Sequence, residues 1–239
     1  AIDSNGKVNS FVNKLFTLIY KKRGLRTYNL NDLKAEIKAI LFSFIEKIDI
    51  LHYLDGEHSF QLIPIIKNRF NLIHKKIPII VNFHQPPEIL EHILNKDIIK
   101  LADRVIVLEP RQYAFFKRFI DEEQIKLILH GVDTNYYKPV NTMNHKPNLR
   151  CITVGSWLRD FDCIFDVISK LSKNSSIEFH IVNNNLDLRM KFNNVCIHNN
   201  ISDNELLWLY QNSDVLFLPL RSATANNVLL EGLSCGLAI

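Results

Sequence analysis

Two hydrophobic spacings follow each other along the chain, and their order predicts helices separated by short strands. Apolar residues recur at helical spacing over residues 8–20, 31–47, 60–74, 89–102 and 111–120. Short apolar runs typical of strands stand at residues 48–53, 78–83, 104–108 and 125–129. Most of these runs are apolar on both faces, as in a parallel sheet that is covered by helices on each side. The pattern therefore predicts a doubly wound α/β domain.

A polar, proline-containing segment interrupts this series. Residues 138–147 read KPVNTMNHKP, which is a composition typical of an interdomain linker. We therefore expect an N-terminal domain over residues 1–138, a linker over 139–150 and a second domain over 151–239.

The second domain repeats the α/β alternation. Strands are predicted at residues 151–154, 177–182, 195–197 and 214–218, and helices at 163–171, 203–211 and 226–233. Ser202 and Glu205 fit a capping box for the helix at 203–211, and Asn31 or Asp32 is expected to cap the helix at 31–47. The predicted fold is thus two Rossmann-like domains, and a ligand is expected in the cleft between the carboxyl ends of their strands.

Composition excludes several classes of protein. The chain has 239 residues with 29 Lys and Arg against 25 Asp and Glu, a net charge of +4 that is too small to indicate nucleic-acid binding. No apolar run approaches the roughly 18–20 residues that span a bilayer, so a cytoplasmic location is expected. The four cysteines stand singly without a C-x-x-C pair, which predicts buried, reduced thiols rather than a zinc site or a disulfide framework.

The two ends of the chain suggest an excised segment. The chain begins without Met and without a basic, then apolar, leader, and it stops in an apolar run where a strand would begin. We interpret it as a fragment that is clipped at both ends.

The turn after the first strand of the second domain is a candidate phosphate site. Gly155 ends the strand at 151–154 and would let a phosphate approach the backbone. Arg159 could place its guanidinium on a diphosphate, whose geometry it matches in a bidentate manner. The alternative is an ordinary turn that carries a surface arginine.

Residues 221–236 form a second candidate site. Small and amide residues lead from the strand at 214–218 to a helix start at Asn226, Asn227 and Val228, where backbone N–H groups and the helix dipole favour an anion. Glu231 follows in an otherwise apolar helix and could accept hydrogen bonds from ribose hydroxyls. The alternative is that Glu231 is a solvated helix residue.

Four segments in order resemble the retaining glycosyltransferases of family 4, which have the GT-B fold. Residues 127–139 (LILHGVDTNYYKP) resemble the "hGVDt…F.P" signature that ends the first domain of that family. Residues 202–236 resemble its donor-binding region, and residues 83–87 (FHQPP) and 101–107 (LADRVIV) match in the same order.

The resemblance implies roles for particular residues. A nucleotide diphosphate sugar would lie against the second domain, with Arg159 neutralising the leaving diphosphate and Glu231 holding the ribose. His84 matches the histidine that the family places near the transferred sugar, and Gly131 would let the loop between the domains pass close to the donor. The acceptor would be a saccharide or a lipid-linked molecule, and neither a metal nor a further cofactor is required.

Three departures from the family pattern keep other functions open. Ala223 stands where the family commonly has a second Glu, and Ser156 stands where it commonly has an Arg. The basic residue that the family places slightly later is represented by Arg159 at a shortened spacing. One alternative is a catalytically silent module that binds nucleotides, and another is a nucleotide-sugar epimerase that shares the fold.

Three further segments have two interpretations each. Asp160 and Asp162 form a D-x-D that could hold a divalent metal, or one of them caps the following helix. The basic and aromatic residues 111–119 could lie on an anionic membrane surface, or pack their aromatic rings on the first sheet. The turn at residues 55–58 could face the acceptor.

Overall fold

The structure of the chain is a computed structural model, and it describes residues 28–46, 48–62, 77–140, 148–184, 186 and 192–239. The chain divides into two compact units, residues 1–129 and 130–239. The helix expected at residues 8–20, most of the helix expected at 60–74 and the linker residues 141–147 lie outside the described residues.

The first unit contains a parallel sheet of four strands in the order β1-β2-β3-β4. The strands are β1 (Leu51–Tyr53), β2 (Ile79–Phe83), β3 (Arg104–Val107) and β4 (Ile125–Leu127). The helices are α1 (Leu30–Ile45), α2 (Gly56–Ser59), α3 (Pro87–Ile93), α4 (Lys96–Ile99) and α5 (Pro110–Phe116), and residues 122–124 form a 3₁₀ turn. This arrangement is the parallel α/β architecture that the alternating pattern predicts.

Local capping accounts for two differences from the expected helices. The region expected to be one helix over residues 89–102 forms α3 and α4, because the Asn95 side chain accepts the N–H of Asp97 and Ile98 and begins a new helix. Helix α1 is capped by Asn29, in a capping box with Asp32, and not by Asn31 or Asp32 as expected.

The aromatic side chains of α5 pack inward. Phe115 and Phe116 are buried in the core of the first unit, next to Phe83 of β2. Lys117 and Arg118 remain half exposed and pair with Glu122 and Glu91. The two phenylalanine rings are therefore part of the core, and membrane contact through residues 111–119 stays a prediction. No helix among the described residues has the length and apolar character needed to cross a bilayer.

The second unit contains a parallel sheet in the order β7-β6-β5-β8. Its strands are β5 (Leu149–Val154), β6 (Ile177–Val182), β7 (Val195–His198) and β8 (Val215–Leu216), and its helices are α6 (Phe161–Leu171), α7 (Asp203–Gln211) and α8 (Asn227–Ser234). From β5 the chain adds β6 and β7 on one side, and then crosses to place β8 on the other. The strand order therefore reverses between β5 and β8.

Helix capping in this unit agrees with the sequence. Ser202 and Glu205 form the expected capping box of α7, and Asp160 caps α6 by accepting the N–H of Cys163. Strand β8 is shorter than the expected residues 214–218, because it pairs with β5 only through Val215 and Leu216.

The four cysteines are free thiols, but only two are buried. Cys151 and Cys235 lie in the core, as expected. The prediction was wrong for Cys163 and Cys196, which are exposed because Cys163 lies in the first turn of α6 and Cys196 lies on β7, at the edge of the described sheet.

Residues that precede the expected linker pack with the second unit. Tyr137 contacts its core, and the Gln211 side chain donates to the Lys138 carbonyl at 2.9 Å. The second unit accordingly begins at His130, earlier than the domain boundary that we expected at residue 138.

Candidate functional site

The loops that follow β5 and β8 meet at the carboxyl ends of these neighbouring strands. The N–H of Asp160 donates to the Pro219 carbonyl at 3.0 Å, and the N–H of Arg221 donates to the Leu158 carbonyl at 2.9 Å. Ligands of doubly wound sheets bind where the strand order reverses. The candidate site of the second unit is therefore built from residues 155–160 and 217–226.

Gly155 and Arg159 are in contact within this site. Gly155 has a φ of +86°, a conformation that L side chains rarely adopt, and a Cβ there would lie 3.2 Å from the Nη2 atom of Arg159. The Nε atom of Arg159 donates to the Val154 carbonyl at 2.9 Å, and its Nη1 atom donates to the Trp157 carbonyl at 3.1 Å. Burial lowers the pKa of the Arg159 guanidinium from a very high starting value, so the group remains a cation held beside the glycine turn.

The start of helix α8 places three of the predicted residues in different surroundings. Asn226 caps the helix, and its side chain accepts the N–H of Leu229. The Asn227 side chain is hydrogen-bonded to the His130 ring, and Val228 packs against the core. The backbone N–H groups of Asn227 and Val228 belong to the first helical turn, where no intrahelical acceptor exists.

Glu231 lies one turn further along α8 and is held by Tyr210. The Tyr210 hydroxyl donates to the Oε2 atom of Glu231 at 2.9 Å, and the Tyr137 hydroxyl lies close enough for the same carboxylate to act on its pKa. Burial, followed by the negative charge of Glu231, raises the pKa of Tyr137 to about 12 and that of Tyr210 further still. Glu231 is thus a partly buried, anchored carboxylate and not the freely solvated residue of the alternative interpretation.

Tyr210 lies in the core beside which both candidate groups are held. Its side chain is fully buried in the same cluster as Val154, whose carbonyl accepts from Arg159. The Tyr210 hydroxyl donates to Glu231. The guanidinium is therefore bound to the strand that packs against Tyr210, and the carboxylate is bound to Tyr210 itself.

Gly131 has open surroundings. No atom lies within 4 Å of the position that a Cβ would occupy there, and its neighbour His130 contacts Asn227 of α8. The role expected for Gly131, a close approach of the backbone to the donor, stays a prediction.

In the first unit, His84 follows β2 and lies against Glu57 of α2. Glu57 is 2% exposed, and its Oε1 atom accepts the backbone N–H of His84 and, at 2.7 Å, that of Gln85. Its Oε2 atom is 3.8 Å from the Nδ1 atom of His84. The adjacent Glu57 carboxylate raises the pKa of the half-exposed His84 ring, and this outweighs the opposite effect of its partial burial.

The sequence indicates Glu57 only as part of a turn that could face the acceptor, and a steric signal explains how it reaches His84. A Cβ on Gly56 would lie 2.4 Å from the Cγ1 atom of Val81 and 2.9 Å from the Asn82 carbonyl oxygen. Only glycine lets α2 approach β2 this closely, and that approach brings the next residue to the end of the strand. The Gly-Glu pair after a predicted strand was the available signal.

Two clusters that contain carboxylates were considered as possible metal sites. Among the residues that the structure describes, Asp55, Glu57 and His84 place potential ligand atoms within 4.8 Å of one another. In the D-x-D segment, Asp162 pairs with Arg221 at 2.5 Å and Asp160 caps α6. The D-x-D carboxylates therefore face a guanidinium and a helix start, which favours the capping interpretation.

Comparisons with known proteins place the fold. No family model matches the sequence, and no curated protein matches it. Among solved structures, the chain is similar to sucrose-phosphate synthase from Thermosynechococcus elongatus, with a TM-score of 0.59, 15% identity, and coverage of 84% of this chain and 57% of that one. HepE from Anabaena, solved in complex with UDP and glucose, gives 0.60 and 14%, with 83% and 60% covered.

A third similar structure is the apo form of the lipopolysaccharide outer core galactosyltransferase WaaB. Its TM-score is 0.58 at 16% identity, over 87% of this chain and 60% of that one. The chain thus spans less than two thirds of the length of each of these three proteins. At such low identity the likeness concerns the fold, and over the part that it covers this chain has the α/β fold of GT-B glycosyltransferases.

Proposed function

We propose that the chain belongs to a retaining glycosyltransferase of family 4, which moves a sugar from a nucleotide diphosphate sugar to a saccharide or lipid-linked acceptor. The observation that carries this proposal is the site at the reversal of strand order in the second unit. There a glycine turn holds a half-buried guanidinium, and the neighbouring helix carries a carboxylate that is anchored by Tyr210. A nucleoside diphosphate offers the matching groups, an anionic diphosphate and a ribose with two hydroxyls.

Arg159 supplies the charge that the leaving diphosphate requires. As the bond between the sugar and the phosphate breaks, negative charge develops on the phosphate oxygens, and a cation already in place stabilises that charge. Two carbonyl acceptors, those of Val154 and Trp157, hold the guanidinium in position. The first-turn N–H groups of α8 contribute to the same anion site.

Glu231 supplies the acceptor for the ribose. A carboxylate has about four lone-pair positions, so it can accept from two tyrosines and still accept from ribose hydroxyls. Because Glu231 is anchored before the nucleotide arrives, binding requires little further ordering of its side chain.

His84 supplies a hydrogen-bond donor on the acceptor-side unit. The pKa of its ring is raised by the adjacent Glu57 carboxylate, so the ring carries a proton over a wider pH range and can donate to a hydroxyl of the transferred sugar. The Glu57 carboxylate fixes the backbone from which the ring projects.

The proposed reaction uses no metal ion. In many enzymes that cleave diphosphate esters, a divalent cation neutralises the leaving group. Here Arg159 and the start of α8 are positioned for that task, and the D-x-D carboxylates are engaged with Arg221 and with α6.

The test is a transfer assay with a panel of UDP-, GDP- and ADP-sugars, offered with saccharide and lipid-linked acceptors in the presence of EDTA. We expect one donor to yield a glycosylated product whose anomeric configuration, read by NMR, is that of the donor. A product with inverted configuration would contradict retention, and a requirement for added divalent metal would contradict the metal-free reaction. An isomerised donor in the absence of acceptor would identify an epimerase.

Ala223 favours a second candidate, a nucleotide-binding module without transferase activity. This position lacks the carboxylate that the family commonly has there, which would remove one contact to the sugar but leave the diphosphate and ribose contacts intact. Tight nucleotide binding without transfer from any donor in the panel would support this candidate over the first.

A further inference from the structure

Two tyrosines from different segments converge on one carboxylate. Tyr210 lies in the last turn of α7, and Tyr137 lies in the segment that opens the second unit. The Tyr210 hydroxyl donates to the Oε2 atom of Glu231 of α8 at 2.9 Å, and the Tyr137 hydroxyl lies close enough for the same carboxylate to raise its pKa. Three parts of the chain that are distant in sequence thus meet at Glu231.

The packing around this group is rigid. Tyr210 is fully buried, and its ring meets that of Tyr137 edge to face, with the centroids 6.1 Å apart. The Ser234 hydroxyl of α8 donates to the Tyr137 carbonyl, which ties the segment to the helix that carries Glu231. The packing therefore fixes the tyrosine rings, and Glu231 is held at the position of the Tyr210 hydroxyl.

The charges fit the same arrangement. A tyrosine hydroxyl donates one hydrogen bond, and donation to an ionised acceptor is roughly twice as strong as donation to a neutral one. The raised pKa values of Tyr137 and Tyr210 keep both hydroxyls protonated. Both hydroxyls are therefore available as donors, and the lone pairs that Glu231 retains can accept only from further donors.

We propose that Tyr210 and Tyr137 are positioning residues that fix Glu231 to accept from ribose hydroxyls, so that the site selects ribonucleoside diphosphates over their dideoxy analogues. The inference rests on the proposed function, in which Glu231 contacts ribose. The tyrosine hydroxyls would then set the selectivity for ribonucleotides over dideoxy analogues.

A neighbouring tyrosine provides a matched control. Tyr136 lies next to Tyr137 and packs against it edge to face, but its hydroxyl donates to Asn204 at 3.1 Å and not to Glu231. Replacement of Tyr136 by Phe removes a hydroxyl from the same segment and leaves the tyrosine pair on Glu231 in place.

The experiment measures the dissociation constants of UDP and of 2′,3′-dideoxy-UDP for the full chain by calorimetry, with GDP and its dideoxy analogue in parallel. For the base that binds, we expect the wild type to prefer the ribonucleotide. Tyr210→Phe and Tyr137→Phe should each reduce that preference by about threefold or more, which corresponds to the loss of one hydrogen bond. The affinity for the dideoxy analogue should stay the same, and Tyr136→Phe should keep the wild-type preference.

The outcomes separate the inference from the function on which it rests. Equal weakening of both nucleotides in the tyrosine variants, or an unchanged preference, would overturn the inference while leaving nucleotide binding established. Failure of the wild type to bind any nucleoside diphosphate would overturn both. If Tyr210→Phe does not fold, Tyr137→Phe, at the less buried position, decides the question alone.

Discussion

Glu57 fixes the backbone of His84: its Oε1 atom accepts the N–H of His84, and its Oε2 atom lies 3.8 Å from the ring nitrogen Nδ1 of the same residue. A buried carboxylate thus acts on both the position and the charge of the histidine that the sequence identified as a functional candidate. This relationship makes the protonation of His84 measurable and dependent on Glu57.

We predict that His84 titrates above its usual pKa of 6.5 and that Glu57→Gln lowers this value. The glutamine keeps an oxygen that can accept the two backbone N–H groups, but it removes the negative charge that favours the protonated ring. Because the folded-state pKa is raised, protonation of His84 favours folding below about pH 6.5, and this contribution is lost as the pH rises through the folded pKa.

The measurement is an NMR titration of the histidine Cε1 protons, with the His84 signal assigned by its loss in His84→Gln. His92→Gln, at an exposed ring on α3, controls for general effects of removing a histidine. A His84 signal that titrates at or below 6.5, or one that Glu57→Gln leaves in place, would show that Glu57 does not set its charge.

Gly56→Ala should destabilise the first unit. The new Cβ would stand 2.4 Å from Val81 and 2.9 Å from both the Asn82 carbonyl oxygen and the Phe83 ring, so α2 must move away from β2. Overpacking of this kind costs roughly 1–3 kcal/mol, which should appear as a lower midpoint of urea unfolding. Gly131→Ala, where nothing lies within 4 Å, should change stability by less than about 0.5 kcal/mol. Equal effects of the two substitutions would be inconsistent with the close approach of α2.

Glu36 of α1 is a second buried carboxylate with a large expected effect. It is 2% exposed and accepts from the Tyr28 hydroxyl at 2.7 Å, the Tyr53 hydroxyl at 2.9 Å and the Leu62 N–H at 2.7 Å. Glu36→Gln would turn an NH₂ group towards these donors, and breaking a buried polar network costs about 1–3 kcal/mol or more.

Equilibrium unfolding of Glu36→Gln, compared with Glu46→Gln at an exposed site just beyond the same helix, tests this expectation. The second substitution should be nearly neutral. Stability equal to that of the wild type in Glu36→Gln would mean that the network does not support the fold.

The second unit should lose stability in acid through a pair of stacked histidines. The Nδ1 atom of His180 lies 3.0 Å from the Nε2 atom of His198, and their rings are within 11° of parallel. Burial lowers the pKa of both rings, and the charges of His198 and Arg150 lower the pKa of His180 further. Glu178, 3.7 Å from His180, favours protonation of that ring, but its carboxylate is paired with Arg150. Glu205 likewise favours protonation of His198.

Because the pKa values of both rings are lowered in the folded state, the stability that the neutral rings contribute is present above about pH 6.5. It is lost as the pH falls through the folded-state pKa values. Urea unfolding at about pH 7.5 and about pH 5 should show the loss, and His198→Gln, which removes one of the two titrating rings, should reduce it. His92→Gln again serves as the control and should leave the pH dependence unchanged. An identical loss in His198→Gln and the wild type would exclude the pair as its source.

The sequence predicted the helices and strands better than it predicted the contacts of individual side chains. The spans of β6 and α7 and the caps Ser202 and Asp160 were foreseeable, because hydrophobic spacing and capping chemistry are local. The break at Asn95 was not foreseen, since a helix-period pattern continues through it and only the cap geometry reveals a new start.

The candidate site shows the same limit. Gly155 and Arg159 are four residues apart, and their contact follows from one turn. The burial of Glu36 and Glu57 depends on partners 8 to 28 residues away, so a single glutamate in the sequence gives no sign of whether it is buried or solvated. The tyrosines on Glu231 were missed for the same reason, because Tyr137 and Tyr210 read as ordinary aromatic core residues.

The central claim is that the second unit binds a nucleoside diphosphate through Arg159, and calorimetry of UDP and GDP against the wild type and Arg159→Ala tests it most directly. We predict low-millimolar or tighter binding of one nucleotide, weakened about tenfold or more in Arg159→Ala by the loss of charged hydrogen bonds. Arg150→Ala, whose guanidinium pairs with Glu178 instead, should bind like the wild type. No binding of either nucleotide, or equal affinity in the wild type and Arg159→Ala, would contradict the account.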